Sequence, residues 1–227
     1  MLDYLFDLYA AVVERFILVL HPAFAQEVQR YCALYGLPID YALQASPTGM
    51  LDAMLIPQER VRHYQPAQVW ITWCDQVAIH SHTVTRLAAL SAQDSEAALI
   101  FPTIARVKPY VHLVRNDRQD IIDILHQREG DPLPEVGESD MGLFCLSGTA
   151  YLDLLTAFSH AVGKGSITQE RNFLPFIPWL CGRATVRTLP GHDEIESVGV
   201  NTIDDVHRVE QYLRHAKNRA VNCHPGL

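Results

Sequence analysis

With 227 residues, 48% of them hydrophobic and 19% charged, the chain is long enough for one α/β domain with a substantial core and too apolar to be disordered or fibrous. No apolar run approaches the roughly 20 residues that a membrane helix needs, the longest candidate being Phe16–Leu20. A net charge of −8 with only three lysines, Lys108, Lys164 and Lys217, excludes the broad basic surface that nucleic acid requires, although a nucleotide remains bindable where a metal ion and a few arginines offset its phosphates.

Between Leu2 and Glu14 the apolar positions Leu5, Leu8, Val12 and Val13 recur at helical spacing, and Phe16–Leu20 reads as a buried strand closed by His21-Pro22. A helical stripe follows over Ala23–Tyr35, stopped by Gly36-Leu37-Pro38, then a short strand over Ile39–Leu43. Gln44 to Gly49 is a turn-rich loop, and Met50–Leu55 resumes helical spacing. Next comes Val69-Trp70-Ile71-Thr72-Trp73-Cys74, a run of the kind buried on both faces of a parallel sheet, which stops at Asp75. A helix around Thr83–Ser91 and an apolar strand over Ala97–Ile104 continue the alternation. Tyr110–Arg115 and Ile121–His126 flank Asn116-Asp117, the pattern of an antiparallel hairpin. Met141–Leu146 reads as a strand, Thr149–Phe158 as a helix, Ala184–Leu189 and Ile195–Val200 as two late strands, and Ile203–Ala216 as a closing helix. Strand and helix alternating through short connections predicts a Rossmann-like, doubly wound α/β fold, with a mostly parallel sheet and an inserted hairpin, in one domain over 1–227.

The five cysteines, Cys32, Cys74, Cys145, Cys181 and Cys223, are widely spaced and form no CxxC pair, as expected of reduced thiols in a cytoplasmic protein. The amino-terminal stretch carries Asp3, Asp7 and Glu14 in place of the basic lead of a signal peptide. In open α/β sheets ligands sit beyond the carboxyl ends of the strands, which is where Asp75 stands. Asp75 also suits a turn ahead of the helix near His80, Asn201-Thr202 suits a helix cap, and Gly49 suits a loop needing positive φ.

Three strand-end loops, Gln44 to Gly49, Cys74-Asp75-Gln76 and Gly199-Val200-Asn201-Thr202, resemble in order and spacing the sugar-phosphate nucleotidyltransferases, especially the N-acetylglucosamine-1-phosphate uridylyltransferase branch. The resemblance implies that Gln44 and Gly49 read the base and that Asp75 and Asn201 hold Mg2+. It further implies that Glu138-Ser139-Asp140-Met141-Gly142 stands for the family's E-x-N-x-G strand, so that Glu138 and Asp140, with Glu129, contact the sugar. Asp140 replaces the family's asparagine. The implied partners are a nucleoside triphosphate and a sugar phosphate, with no nucleic acid and no membrane. In such a reaction a sugar 1-phosphate oxygen meets the α-phosphate of the triphosphate and pyrophosphate leaves, so positioning and charge stabilisation supply the catalysis and no Ser-His or Cys-His nucleophile is required.

One family motif has no counterpart here. A buried strand running into a G-x-G-T-R-M loop, followed by a lysine in P-K-x-L, precedes in the family the helix that Met1-Leu2-Asp3-Tyr4-Leu5 resembles. The expectation is a chain shorter than the family at this end by about 25 residues, one strand and one loop of a βα unit, which leaves two neighbouring strands with unpaired edges. The sequence therefore supports two functions: a Mg-dependent nucleotidyltransferase, and a non-catalytic nucleotide- or sugar-binding homologue that has lost the phosphate loop. A Rossmann-type oxidoreductase is disfavoured, since no G-x-G-x-x-G follows a strand.

Overall fold

The computed structural model describes residues 1–222; Cys223 lies outside the described residues. The first half alternates helix and strand: α1 (Leu2–Tyr9), β1 (Phe16–Leu20), α2 (Pro22–Cys32), β2 (Ile39–Leu43), α3 (Met50–Leu55), α4 (Gln58–Tyr64), β3 (Gln68–Thr72), α5 (Ser81–Gln93) and β4 (Ala97–Val107). The hairpin follows as β5 (Val111–Arg115) and β6 (Ile121–His126). Then come β7 (Val136–Asp140), β8 (Leu143–Ser147), a π-helical turn leading into α6 (Leu155–Ala161), α7 (Phe176–Cys181), β9 (Thr185–Pro190) and α8 (Ile203–Asn222).

Local chemistry sets several of these boundaries. Two histidines act as helix caps: the His21 ring accepts the Ala23 N–H at 3.2 Å ahead of α2, and the His80 ring accepts the His82 N–H at 3.1 Å ahead of α5. Each satisfies an amide that the first helical turn leaves without a partner. In α5 the buried residues Thr83, Val84, Leu87 and Ser91 form one stripe against the sheet.

β4 is the centre, its first seven residues all buried. On one side it pairs antiparallel with β7 and β8, which are one line of chain broken at Met141-Gly142. On the other it pairs parallel with β9. β8 pairs antiparallel with β3. Thus β3, β4 and β9 run one way and β7–β8 against them, while β1 and β2 form a separate parallel pair.

The pleat divides each strand between two apolar layers. Leu99 and Phe101 of β4, with Phe144 and Leu146 of β8, face a layer of Leu51, Tyr151, Phe158, Phe176 and Leu180 from α3, α6, α7 and the π-helical turn. Ala97, Ile100, Leu143 and Cys145 from the same strands face Leu5, Tyr9, Val84, Leu87 and Val209 from α1, α5 and α8. Helices therefore cover both faces of a mostly parallel sheet, the architecture expected of a doubly wound fold.

The structure departs from expectation in identifiable places. Ile195–Val200 is not a strand: Glu194–Ser197 forms a 3-10 turn closed by a capping box between Asp193 and Glu196, whose side-chain bonds outcompete extended pairing. Met141–Leu146 begins as a strand only at Leu143, because Gly142 turns at φ +66°. α4 and α7 escaped the periodicity reading; α7 is six residues long with Pro178 inside it. Among the described residues no helix is long and apolar enough to cross a membrane.

Candidate active site

The carboxyl ends of β2 and β3 reach one rim. β2 is followed by Gln44, whose side-chain amide donates to the Gly49 carbonyl at 3.3 Å and folds the loop back on itself. Gly49 sits at φ +122°, and a Cβ there would lie 2.6 Å from the Arg171 backbone nitrogen. The approach is held by the Arg171 N–H donating to the Thr48 carbonyl at 2.8 Å and the Leu51 N–H donating to the Arg171 carbonyl at 3.1 Å. Arg171 also pairs with Asp52 at 2.5 Å. Two residues on, Phe173 meets the Trp73 ring edge-on at 6.3 Å, which ties this loop to the end of β3.

Asp75 occupies the turn beyond β3 and is half-buried. Its Oδ2 faces the Asn201 side-chain amide at 3.4 Å, across 126 residues of sequence, and its carbonyl accepts the Val200 N–H at 3.0 Å. Gly199 permits this closeness, since a Cβ at that position would stand 2.6 Å from Asp75 Oδ2. Capping of α8 falls to its neighbours: the Asp205 carboxylate accepts the Thr202 N–H and hydroxyl, each at 2.8 Å, and the Thr202 hydroxyl accepts the Asp205 N–H at 3.2 Å. The Asn201 side chain is thereby left to face Asp75.

Burial pushes the Asp75 carboxyl above its ordinary range, opposed by its own backbone N–H and by Asn201. None of the ion pairs among the described residues involves Asp75. A desolvated carboxylate outside every ion pair among the described residues, with the Asn201 side-chain amide against it, is a donor set suited to a hard divalent cation that takes one or two protein oxygens and keeps its waters. Among the described residues no group of three His, Cys, Asp or Glu side chains converges as a closed metal cage.

Over 188 residues, 81% of its length, the chain is 24% identical to Bifunctional protein GlmU of Solibacter usitatus (strain Ellin6076), and it spans 39% of that relative's length. Its fold is similar to that of 4-diphosphocytidyl-2C-methyl-D-erythritol synthase from Anaerococcus prevotii DSM 20548, with a TM-score of 0.61 at 11% identity over 94% of this chain and 85% of the other. No protein-family profile matches the chain. The chain is thus similar, at a distance, to a nucleotidyltransferase in sequence and to another in fold.

The residues that the NTP transferase resemblance assigns to a sugar divide between two places. Asp140, at the end of β7, accepts the Gly142 N–H at 2.8 Å, and Gly142 in turn packs on Trp73 and Gln76 beside Asp75. Desolvation pushes Asp140 above the usual carboxylate range against the pull of that N–H and of Arg106. Glu138, two residues earlier on the same face of β7, is held by Arg115 through two bonds of 2.7 Å. Burial works against its charge, but Arg115 and the Thr103 hydroxyl hold its carboxyl below the usual range. Glu129 lies beyond the hairpin, where its carboxylate accepts the Ile167 N–H at 3.0 Å and the Thr168 hydroxyl and so anchors the 163–170 loop. It lines a cavity of about 230 Å³ together with His126, Lys164 and Asn172.

Three residues to which the sequence assigned no role complete the rim. Arg106 donates from Nη1 to the Ser197 carbonyl at 3.2 Å, while its buried Nε has no hydrogen-bond partner. Gln76 is buried with its Oε1 unpartnered. Glu196, fully buried, accepts from the N–H groups of His80, His192 and Asp193 and from the Thr83 hydroxyl at 2.6 Å. It pins the turn before Gly199 to the start of α5 and so positions Asn201 opposite Asp75. Glu196 and Thr83 are 113 positions apart, a spacing no local motif records.

Proposed function

We propose that the chain is a nucleotidyltransferase that joins a nucleoside triphosphate to a sugar 1-phosphate, or to a related phosphorylated alcohol, and releases pyrophosphate with Mg2+ as cofactor. The observation that carries this reading is the meeting of Asp75 and Asn201 at the carboxyl end of β3, with Gly199 lacking the Cβ that would part them. Mg2+ held there would screen the repulsion between two phosphate groups. The chain's own residues do the rest by positioning. Gln44 and Gly49 shape the loop that receives the base. Glu138 and Asp140, on one face of β7, and Glu129, at the hairpin end, offer acceptors to sugar hydroxyls. Arg106, whose charge acts on Asp140 and whose Nε–H has no partner, offers a guanidinium to a phosphate oxygen. The relatives agree in kind, one being named for a diphosphocytidyl-erythritol product.

The test is pyrophosphate release from the chain incubated with Mg2+ and a panel of triphosphates and sugar or polyol phosphates. Turnover with one pair, abolished in Asp75→Asn with the fold intact, is the expected result. A second reading is a non-catalytic nucleotide- or sugar-binding homologue. Saturable nucleotide binding with no pyrophosphate from any pair would establish that reading in place of the first.

A further inference from the structure

The side chains near the acceptor differ in what they have left to offer a ligand. Glu138 is held by Arg115 through two bonds of 2.7 Å and also accepts from the Thr103 hydroxyl. Glu129 accepts the Ile167 N–H and the Thr168 hydroxyl, and Asp140 accepts the Gly142 N–H. Gln76 is the reverse case: it is 8% exposed, yet its Oε1 has no hydrogen-bond partner among the described residues. An acceptor buried unpaired has given up its hydration for nothing, so native folds keep few such groups.

The fold makes room for this side chain. Gly142 turns at φ +66°, and a Cβ there would lie 2.6 Å from Gln76 Cγ and 2.8 Å from Trp73 Cδ1. The same turn is laced to the end of β3. The Trp73 N–H donates to the Gly142 carbonyl at 3.4 Å, and the Gln76 N–H donates to the Trp73 carbonyl at 3.1 Å. Gln76 therefore lies against the break between β7 and β8, one residue after Asp75 and beside the turn whose N–H Asp140 accepts. The last torsion of a glutamine is broad, so the amide turns toward the rim without rotamer strain.

We propose that Gln76 is a specificity-determining residue for the acceptor, its Oε1 receiving a hydrogen bond from a hydroxyl on the carbon next to the phosphorylated one. The inference rests on the phosphorylated acceptor of the proposed function. The chemistry of the group follows from the amide oxygen, which only accepts, so the ligand must donate. The position of the group follows from the chain. The Cα atoms of Asp75 and Gln76 are about 3.8 Å apart, so what Gln76 reads lies close to the phosphate that the proposed function places at Asp75, and not at the far end of the acceptor. A site built to pair with a hydroxyl rejects the analogue that lacks it, because the protein's own polar group is then left buried and unpaired.

The test reads binding first and turnover second. Isothermal titration calorimetry in Mg2+ compares glucose 1-phosphate with its 2-deoxy analogue, and glycerol 3-phosphate with 3-hydroxypropyl phosphate. Each pair differs by the hydroxyl next to the phosphorylated carbon. The parent should bind the hydroxylated member of at least one pair about tenfold or more tighter than its analogue. Gln76→Met should bring that ratio within about twofold and melt no lower than the parent, because it removes an acceptor that the ligand-free fold leaves unpaired. Equal affinity within each pair, or no binding of any of the four, would overturn the proposal. So would a preference retained in Gln76→Met, or a melting point several degrees below the parent's, which would make the amide a partner within the fold. Pyrophosphate release measured alongside keeps the two readings apart. A hydroxyl preference without pyrophosphate from any triphosphate leaves the role of Gln76 standing and removes the enzyme, whereas pyrophosphate from both members of a pair alike does the opposite.

Discussion

Replacing Gly199 by alanine separates the role of the Asp75–Asn201 pair from that of the fold. The new Cβ would lie 2.6 Å from Asp75 Oδ2 and 3.2 Å from Asn201 Nδ2. Taking about 3.3 Å as the shortest comfortable C···O separation, the carboxylate must retreat by roughly 0.7 Å. That retreat breaks the 3.4 Å Asn201–Asp75 contact, a loss of about 0.5–1.5 kcal/mol. Gly199 lies outside the left-handed region, so alanine adds no backbone strain there. Stiffening of the unfolded chain returns about 0.4–1 kcal/mol. Net stability should change by less than about 1 kcal/mol, and the melting temperature of a chain this size by less than about 4 °C. The site should suffer far more, because a misplacement approaching 1 Å is enough to lose about tenfold or more. Mn2+ binding followed by electron paramagnetic resonance, with thermal melts alongside, makes the comparison. Affinity within twofold of the parent, with the fold intact, would remove Asp75 and Asn201 from a cation site.

Gly49→Ala should behave in the opposite way. With φ +122° and Arg171 backbone against the new Cβ, it should destabilise by about 3 kcal/mol or more, read as a shifted urea midpoint. Glu196→Ala strands the four donors that the buried carboxylate now satisfies, at about 3–5 kcal/mol in all; Glu196→Gln, which keeps one acceptor, should recover part of this in the same denaturation assay. Asp75 gives a pH signature. Its folded pKa is raised by burial, so its contribution to stability is fully present below the unfolded value and is lost as pH rises through the folded one. Asp75→Asn should therefore melt higher than the parent near neutral pH, with the difference vanishing toward pH 4; a lower melting point at pH 7 would contradict the burial argument. Glu138 has the reverse sign, since Arg115 holds its folded pKa down: the stability lost in Glu138→Gln should be greatest above the unfolded carboxylate value and fade as pH falls through the folded one, as measured by melts between pH 3 and 7.

Strands were legible where both faces are covered. Phe16–Leu20 and Ala97–Ile104 are apolar runs whose side chains enter both apolar layers. The hairpin was legible from Asn116, whose side-chain oxygen accepts the N–H groups of Arg118 and Asp120 at 2.9 Å each and closes the turn. Periodicity failed where side chains govern the backbone. Ile195, Val198 and Val200 look like a strand, but the carboxylates of Asp193 and Glu196 bend the segment into a 3-10 turn. Val136–Asp140 looks polar because Glu138 faces Arg115 at the sheet's end and not an apolar layer.

The candidate site divides along the same line. Asp75 was singled out because an acid there ends an apolar run, and Asn201 through the resemblance of Gly199-Val200-Asn201-Thr202 to the family's late turn. What holds the two together was not readable, since Glu196 reaches His80 and Thr83 across more than a hundred positions. The electrostatics of the rim also emerge only in three dimensions. Asp75 and Asp140 are linked through Gln76 and Gly142, and both carboxyls are pushed upward by burial. Arg106 is the charge that opposes the shift at Asp140, and it is already spent in part on Ser197. In a protein of net charge −8, such a rim repels a triphosphate until a cation is shared between carboxylate and phosphate. Under the proposed function, the same desolvation that makes Asp75 a burden on the fold would fit it to a divalent ion, a trade of stability for function localised on one side chain.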